Sequence, residues 1–360
     1  MQAGQGPPGC LVALCLQFAR SPLDRELSMP DRVGEQLGNY QLIQLLGEGS
    51  FAEVYLGGHI HLGTLAAIKV LRRQLASEDF DTFRMEARLL AHLIHPHIVR
   101  VLEFGIEDNV PFLVMDFAPY GTLRQRHPKG MRLPLSTVIS YVKQVADALQ
   151  CAHDERLIHR DVKPENMLIG RRNEVLLSDF GIAILRQSTT GQHLSEMSGT
   201  MAYMAPEQIR GRPCLASDQY SLGIVVYEWL CGMHPFQGFS TIEVAMKHLS
   251  TAPQPLRDSV PTISPAIEQV VLKALAKEPE ERFESVQVFA AALEQASFSD
   301  ESGARTDLPL QREQSHFLGT TVSPADSSIP GALEDAFSTM PSGSLENQIP
   351  VLDEELEDEG

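Results

Sequence analysis

Apolar and polar positions change rhythm once along the chain. Residues 40–47 (YQLIQLLG), 53–58 and 64–71 (TLAAIKVL) are short, β-rich and separated by glycines. They predict three antiparallel strands. Ser77 then reads as an N-cap, with Glu78 and Asp79 in the first turn of a helix. Phe80, Phe83, Ala87, Leu90 and Ile94 recur at three- and four-residue steps and share one helical face. Two further strands are expected at Val99–Phe104 and Phe112–Asp116. After Pro119 the period lengthens. Val138, Val142, Val145, Leu149 and Ala152 form a second stripe, with Ser136 as its N-cap. Ser217 to Leu230 is apolar almost all round, the mark of a helix buried within a larger body. Helical patterns continue through 263–276 and 285–296. A small β-rich lobe and a larger helical lobe make an α+β chain with a cleft at the join, near 116–119.

The ends differ from this middle. Residues 1–36 read as a flexible extension, with translation from Met29 as a second reading. Leu11 to Phe18 is a weak signal-peptide candidate, because no basic segment precedes it and no small-residue cleavage pattern follows it. From residue 297 to 360 the chain reads as an acidic disordered tail. Asp300 to Gly360 holds 14 acidic residues and two basic ones, and such a segment buries too little apolar area to offset its ordering entropy. A solvated tail is one reading and a regulatory tail that docks on the folded part is the other.

Composition narrows the classes. Of 360 residues 43% are hydrophobic, enough for a substantial core, and the formal net charge is -18. That charge disfavours the nucleic-acid backbone as a partner. No apolar run is long enough for a membrane span. Cys10, Cys15, Cys151, Cys214 and Cys231 form no CxxC pair, which points to reduced thiols rather than a disulfide framework or a zinc site.

Three stretches carry chemistry. Gly47-Glu48-Gly49-Ser50-Phe51-Ala52-Glu53-Val54 joins the first two strands. Its glycines let backbone amides approach a phosphate, though alone it reads equally well as a glycine hairpin. Lys69 sits in the apolar third strand, where it faces solvent or else the cleft. In the cleft reading Glu86, bordering the apolar stripe of the first long helix, is its counterion. The strongest stretch runs Ile158-His159-Arg160-Asp161-Val162-Lys163-Pro164-Glu165-Asn166-Met167-Leu168, followed by Ser178-Asp179-Phe180-Gly181. Polar groups this dense between apolar segments make sense if they converge on a ligand. Asn166 and Asp179 offer hard oxygens suited to magnesium. Asp161 can orient a hydroxyl, and Lys163 can balance phosphate charge. His95 and His97 read as a turn at a helix end rather than a metal pair.

Together with Met204-Ala205-Pro206-Glu207, these motifs resemble the protein kinases over residues 40–296. HRDVKPEN and GTMAYMAPE resemble the serine/threonine branch, in the compact form of bacterial Hanks-type kinases. The resemblance implies a bilobal fold, with one lobe at about 40–115 and the other at about 119–296. It implies ATP and Mg²⁺ as cofactors. Leu46, Gly47, Glu48, Gly49, Ser50, Phe51 and Ala52 would cover the phosphates. Val54 and Ala67 would pack on adenine, Met115 would guard the back pocket, and Asp116 and Ala118 would supply the hinge. Lys69, paired with Glu86, would hold phosphates. Asp161 takes the catalytic-base position, Lys163 steadies the transferring group, and Asn166 and Asp179 hold the metal. Asp218 would brace the catalytic loop, and Glu207 with Arg282 would form a buried ion pair. Thr189 and Thr190 would be autophosphorylated opposite Arg160, while Thr200 would contact Asp161 and Lys163. The implied partners are proteins bearing Ser or Thr and a second copy of the chain for trans-autophosphorylation. Many bacterial relatives carry a membrane span, and the lack of one in this sequence points instead to the cytoplasm. Ala52 departs from the family's third glycine, and a pseudokinase or nucleotide-binding scaffold is the alternative it leaves.

Overall fold

The computed structural model describes residues 32–49, 52–72, 80–180 and 199–303. Strands β1 (Gln36–Leu37), β2 (Tyr40–Glu48), β3 (Ala52–His59), β4 (Leu65–Leu71), β5 (Val101–Glu107) and β6 (Val110–Asp116) form one antiparallel sheet in the order β1-β2-β3-β4-β6-β5. Helix α1 (Phe80–His92) packs on it. The two-residue period of a strand sorts this sheet's side chains. Ala66, Ile68 and Val70 of β4 join Phe112 and Val114 of β6 in one apolar cluster. Ala67 and Leu71 join Leu113, Met115, Phe83 and Ala87 on the opposite face, with Val54 and Leu168 packed alongside. Lys69 lies between Ala67 and Leu71 in that alternation, so it must share the α1 face. Where β3 crosses β4, Gly57 is required: a Cβ there would lie 2.6 Å from the Ile68 side chain.

The second lobe holds α2 (Leu123–Arg126), α3 (Leu135–Asp154), β7 (Met167–Ile169), β8 (Val175–Leu177), α4 (Pro206–Ile209), α5 (Leu215–Cys231), α6 (Thr241–Ser250), α7 (Leu256–Ser259), α8 (Pro265–Ala274) and α9 (Val286–Gly303). Helix α5 is buried from Ser217 to Cys231, as its continuous apolar pattern predicts. It stops at Gly232, a left-handed cap (φ 77) whose N–H reaches the Glu228 carbonyl. The α3 stripe expected from the sequence is entirely buried.

Several expected boundaries move, each for a local reason. Ser136 is not the cap of α3. Pro134 precedes the first helical residue and its carbonyl accepts the Thr137 and Val138 N–H groups. Ile94 lies past the end of α1 and is 68% exposed. The strand expected from Val99 starts at Val101, because the backbone of 97–99 is taken by Leu177. The Leu177 N–H reaches the His97 carbonyl at 2.8 Å, and the Val99 N–H reaches the Leu177 carbonyl at 2.9 Å. Strand β6 begins early, at Val110, because Asp108 and Asn109 (φ 50 and 65) close a two-residue hairpin. Strand pairing begins at Gln36, inside the expected extension, and α9 runs to Gly303, past the expected tail boundary at 297. Ser77, Glu78 and Asp79, the segment 181–198 and the tail beyond 303 lie outside the described residues.

One buried ion pair ties the lobe together. Arg282 meets Glu207 through two hydrogen bonds of 2.8 Å. Its other three donors reach the carbonyls of Ala276, Ala216 and Lys277, so all five N–H groups are used. Glu207 also accepts from Ser217. Burial alone would raise the Glu207 carboxyl, but Arg282 and Ser217 outweigh it and hold it below the usual range. Arg282→Ala leaves a carboxylate buried without its cation and should cost about 3–5 kcal/mol, measured by urea denaturation. Adding Glu207→Leu to Arg282→Ala should recover part of that loss.

Candidate active site

The most crowded polar segment, His159 to Asn166, enters from α3 and leaves into a single turn of tight helix at Pro164–Asn166. Asp218, in the first turn of buried α5, braces its start. The carboxylate accepts the His159 N–H and the Arg160 N–H, each at 2.8 Å, and meets His153 Nε2 at 2.8 Å. Arg160 is held at a left-handed φ of 66, which a non-glycine residue adopts only where surrounding contacts fix it. His159 is fully buried, and burial pushes its imidazole below the ordinary value. Both ring nitrogens are used. Nε2 donates to the Ser178 carbonyl at 2.8 Å, and Nδ1 accepts the Asp161 N–H at 3.2 Å. That pattern requires the neutral Nε2–H tautomer.

Past the brace the side chains converge. Lys163 Nζ lies 3.0 Å from Asp161 Oδ2 and donates to Thr200 Oγ1 at 2.9 Å. Asn166 Nδ2 donates to the Asp161 carbonyl at 2.8 Å and to Asp161 Oδ2 at 3.0 Å. The Asn166 carbonyl in turn accepts from the N–H and the hydroxyl of Ser178. Ser178 precedes Asp179, whose Oδ1 takes the Lys69 ammonium at 2.6 Å. Burial works to raise the Asp179 carboxyl, but Lys69 prevails and keeps it below the usual range, hence ionised. Phe180 packs its ring 4.6 Å from that of His159. Asp161, Lys163, Asn166, Thr200, Asp179 and Lys69 thus belong to one connected constellation.

The Lys69–Asp179 ion pair, at 2.6 Å, was not expected from the sequence. Glu86 is half-buried on α1 and has an interaction of its own. A cavity of about 30 Å³, room for about one water, lies behind the Lys69–Asp179 pair among Leu90, Met115 and Phe180. Val54, Ala67, Met115 and Leu168 line the apolar wall between the lobes. Asp116, Phe117 and Ala118 form the crossing strand end, with the Asp116 N–H on the Arg100 carbonyl. Leu46, Gly47, Glu48 and Gly49 are exposed at the hairpin base, and Ala52 is buried. Ser50 and Phe51 lie outside the described residues. Arg72 meets Glu48 and, at 3.2 Å, Glu53, and so fastens the glycine hairpin to the end of β4.

The donor set suits a divalent cation of the magnesium kind. Asn166 and Asp179 bring one neutral and one ionised oxygen group, and magnesium takes one or two protein oxygens alongside substrate phosphates and water. Among the described residues no cluster of three His, Cys, Asp or Glu forms an all-protein cage.

A further network escaped the sequence reading. Arg124 of α2 donates to Glu165 at 2.9 Å and to both oxygens of Glu228 at 2.7 and 3.0 Å, and it also meets the Tyr203 hydroxyl. Tyr203 donates to Glu228 Oε2 at 2.6 Å, and His234 Nε2 lies 3.2 Å from it. The legible signal was Glu228 itself, a carboxylate within an apolar run, which demands a partner. Burial opposes its ionisation, but hydrogen bonds from His234, Arg124 and Tyr203 prevail and pull the carboxyl down to about 2.

Residues 40–293 match the sequence model of the protein kinase domain. The chain is similar to the serine/threonine-protein kinase PrkC of Bacillus subtilis, with 35% identity over 272 residues, 74% of this chain and 42% of that protein. It is similar to the serine/threonine-protein kinase PknF of Mycobacterium tuberculosis, with 39% identity over 278 residues, 74% of this chain and 58% of that protein. Pkn1 of Myxococcus xanthus, also a serine/threonine-protein kinase, is 37% identical over 272 residues, 73% of this chain and 39% of its own length. The chain therefore spans between about two fifths and three fifths of these relatives.

The Glu228 carboxyl is depressed from 4.5 to about 2 in the folded protein. Its contribution to stability is therefore complete above pH 4.5 and is lost as the pH falls towards 2, about 3 kcal/mol in all. Urea midpoints between pH 6 and pH 2 should show the gap between wild type and Glu228→Gln closing over that window.

Proposed function

The chain belongs to the protein kinase domain family, and from that premise we propose that it transfers the γ-phosphate of ATP to serine and threonine hydroxyls of proteins. The observation that carries this reading is the constellation just described: Asp161, Lys163, Asn166 and Thr200 within hydrogen-bond reach, joined through Ser178 to the Lys69–Asp179 pair.

In this reading the adenine lies against Val54, Ala67, Met115 and Leu168, and the backbone of Asp116 and Ala118 holds its edge. The amides from Leu46 to Ala52 cover the phosphates, and Lys69 meets two of them. Asn166 and Asp179 hold Mg²⁺, which supplies charge neutralisation at the phosphates. Asp161 orients the acceptor hydroxyl and takes its proton. Lys163, already 3.0 Å from Asp161 Oδ2, steadies the charge that develops on the moving phosphoryl group. Thr200 fixes the Lys163 ammonium on the side where a substrate hydroxyl arrives. Positioning and preorganised charge do most of this work. Among the described residues no helix is long and apolar enough to cross a membrane.

The same proposal extends to Thr189 and Thr190 as autophosphorylation sites, with a second copy of the chain as their substrate. Arg160, whose carbonyl is anchored by Gln208 at 2.7 Å, precedes Asp161 and supplies the cation for such a phosphate.

Purified protein given labelled ATP, Mg²⁺ and a generic protein substrate should incorporate label. Asp161→Asn should lower the rate by about 10²–10⁴-fold, the usual worth of a positioned acid or base, while calorimetry still detects nucleotide binding. Nucleotide binding without transfer in the wild-type protein would favour the scaffold reading instead. Phosphopeptide maps of wild type and Asp161→Asn should differ at 188–190. Identical maps would remove Thr189 and Thr190 from the proposal.

A further inference from the structure

The phosphotransfer reading does not use Arg124, yet this residue stands where that reading needs a substrate to lie. Two segments flank the acceptor hydroxyl: the catalytic turn, 161–166, and the stretch from Thr200 to Tyr203. They are cross-linked twice. At the first crossing Lys163 Nζ donates to Thr200 Oγ1 at 2.9 Å. At the second, Arg124 Nε donates to Glu165 Oε1 at 2.9 Å and Arg124 Nη2 meets the Tyr203 hydroxyl. The second crossing lies a short step further along both walls, from Lys163 to Glu165 on one and from Thr200 to Tyr203 on the other, where the Tyr203 N–H turns back onto the Thr200 carbonyl. An extended peptide advances about 3.3–3.6 Å per residue. One whose hydroxyl sits at the first crossing therefore brings a neighbour about two or three residues away over Arg124.

Two acids set the chemistry of that spot. Glu165 comes from the catalytic turn and Glu228 from α5, and both converge on one guanidinium. Besides Glu165, Arg124 donates to Glu228 Oε1 and Oε2 at 2.7 and 3.0 Å. The Glu228 side chain is 4% exposed and that of Glu165 is 38% exposed, so the pair of acids runs from the interior of the lobe to its surface. Converging carboxylates of this kind are what an arginine side chain seeks, because its planar fork can bond them together. Here the fork is supplied from within the chain. Glu165 Oε2, the oxygen that Arg124 leaves, is covered and has no hydrogen-bond partner among the described residues. Tyr203 donates to Glu228 Oε2 at 2.6 Å, and His234 Nε2 stands 3.2 Å from the same oxygen.

We propose that Arg124 is a specificity-determining residue. It fills an acidic subsite that would otherwise accept an arginine of the substrate, and so removes any preference for a basic residue at that position. The proposal rests on the phosphotransfer reading. A substrate arginine arriving there meets a guanidinium of like charge and no free carboxylate, and it gives up its hydration without compensation. An uncharged side chain meets no such penalty. Removing Arg124 leaves Glu165 and Glu228 around the vacated space as ready acceptors for an incoming guanidinium.

The test is kcat/KM for serine peptides with alanine elsewhere and one arginine scanned from four residues before the serine to four after. Wild type and Arg124→Ala are compared with ATP and Mg²⁺, and the readout is the ratio of arginine to alanine peptide at each position. Wild type should give a ratio near one, and Arg124→Ala should gain about tenfold at a position two or three residues from the serine, the order expected for a charged hydrogen-bonded pair. A gain of fivefold or more confined to such a position supports the assignment. A smaller gain, or one shared by all positions, overturns it. Added methylguanidinium should refill the site and cancel the gain while sparing the alanine peptide, an effect that a purely structural role for Arg124 does not produce. A gain that persists at saturating methylguanidinium overturns the assignment. If Arg124→Ala does not fold, Arg124→Lys decides in its place. Its point charge keeps Glu228 paired but cannot fork to both acids, so the gain should be threefold or more at such a position, and a smaller one overturns the assignment. Wild type that labels no peptide sinks the phosphotransfer reading and this proposal with it. Wild type that labels the alanine peptide, with no new arginine preference in the variants, sinks this proposal alone.

Discussion

Asp218 is the fixed point on which the site depends. Its carboxylate sits in the first turn of α5, where the helix dipole favours a negative charge, and α5 is buried along almost its whole length. Two consecutive N–H groups of the loop, at His159 and Arg160, end on it. Those bonds hold Arg160 in its left-handed conformation and so decide where Asp161 begins. The influence passes onward through His159, which links the Asp161 N–H to the Ser178 carbonyl across one imidazole. A single buried acid therefore sets the placement of residues on both sides of the constellation, 161–166 and 178–179.

Helix α5 carries a second such anchorage. Glu228 lies ten residues beyond Asp218, about 15 Å along the axis. It gathers Arg124, Tyr203 and His234, and Arg124 reaches on to Glu165 in the catalytic segment. At the near end, Ser217 touches Glu207, and Glu207 holds Arg282. Asp218, Glu228 and Glu207 each have their partners, as buried charges require. The helix thus joins three loops that are distant in the chain, and its apolar body keeps the joints from shifting.

Much of this was legible from the sequence where a strong period exists. The alternation in β4 and β6 and the stripe of α3 were visible as patterns, and the buried character of α5 followed from its lack of a polar face. The Asp218 brace, the Glu207–Arg282 pair and the Thr200–Lys163 contact came from family resemblance, because no local pattern links residues so far apart. Less legible were outcomes set by competition between partners. For Lys69 the sequence pointed to Glu86, and only the folded chain shows the contact with Asp179. The backbone of His97–Val99 looked like a strand start until Leu177 was found to occupy it. Helix α9 passed the change in composition near 297 because extending a formed helix is easy, whereas starting one is not. Arg124 carried no signal of its own, since an arginine in a short polar helix is ordinary until Glu228 is placed beneath it.

The seam at Leu177 has a mechanical consequence. Among the described residues the backbone of the small lobe is tied to that of the large one at two places: the covalent crossing at 116–118, and the short parallel pairing of Ile98 with Leu177. Two fastenings define an axle, so one body can rock about the line joining them but cannot swing freely like a door on one pin. Asp179 lies two residues beyond Leu177, close to that axle. Tilting the sheet would therefore sweep the glycine hairpin through a wide arc while carrying Asp179 only a short way.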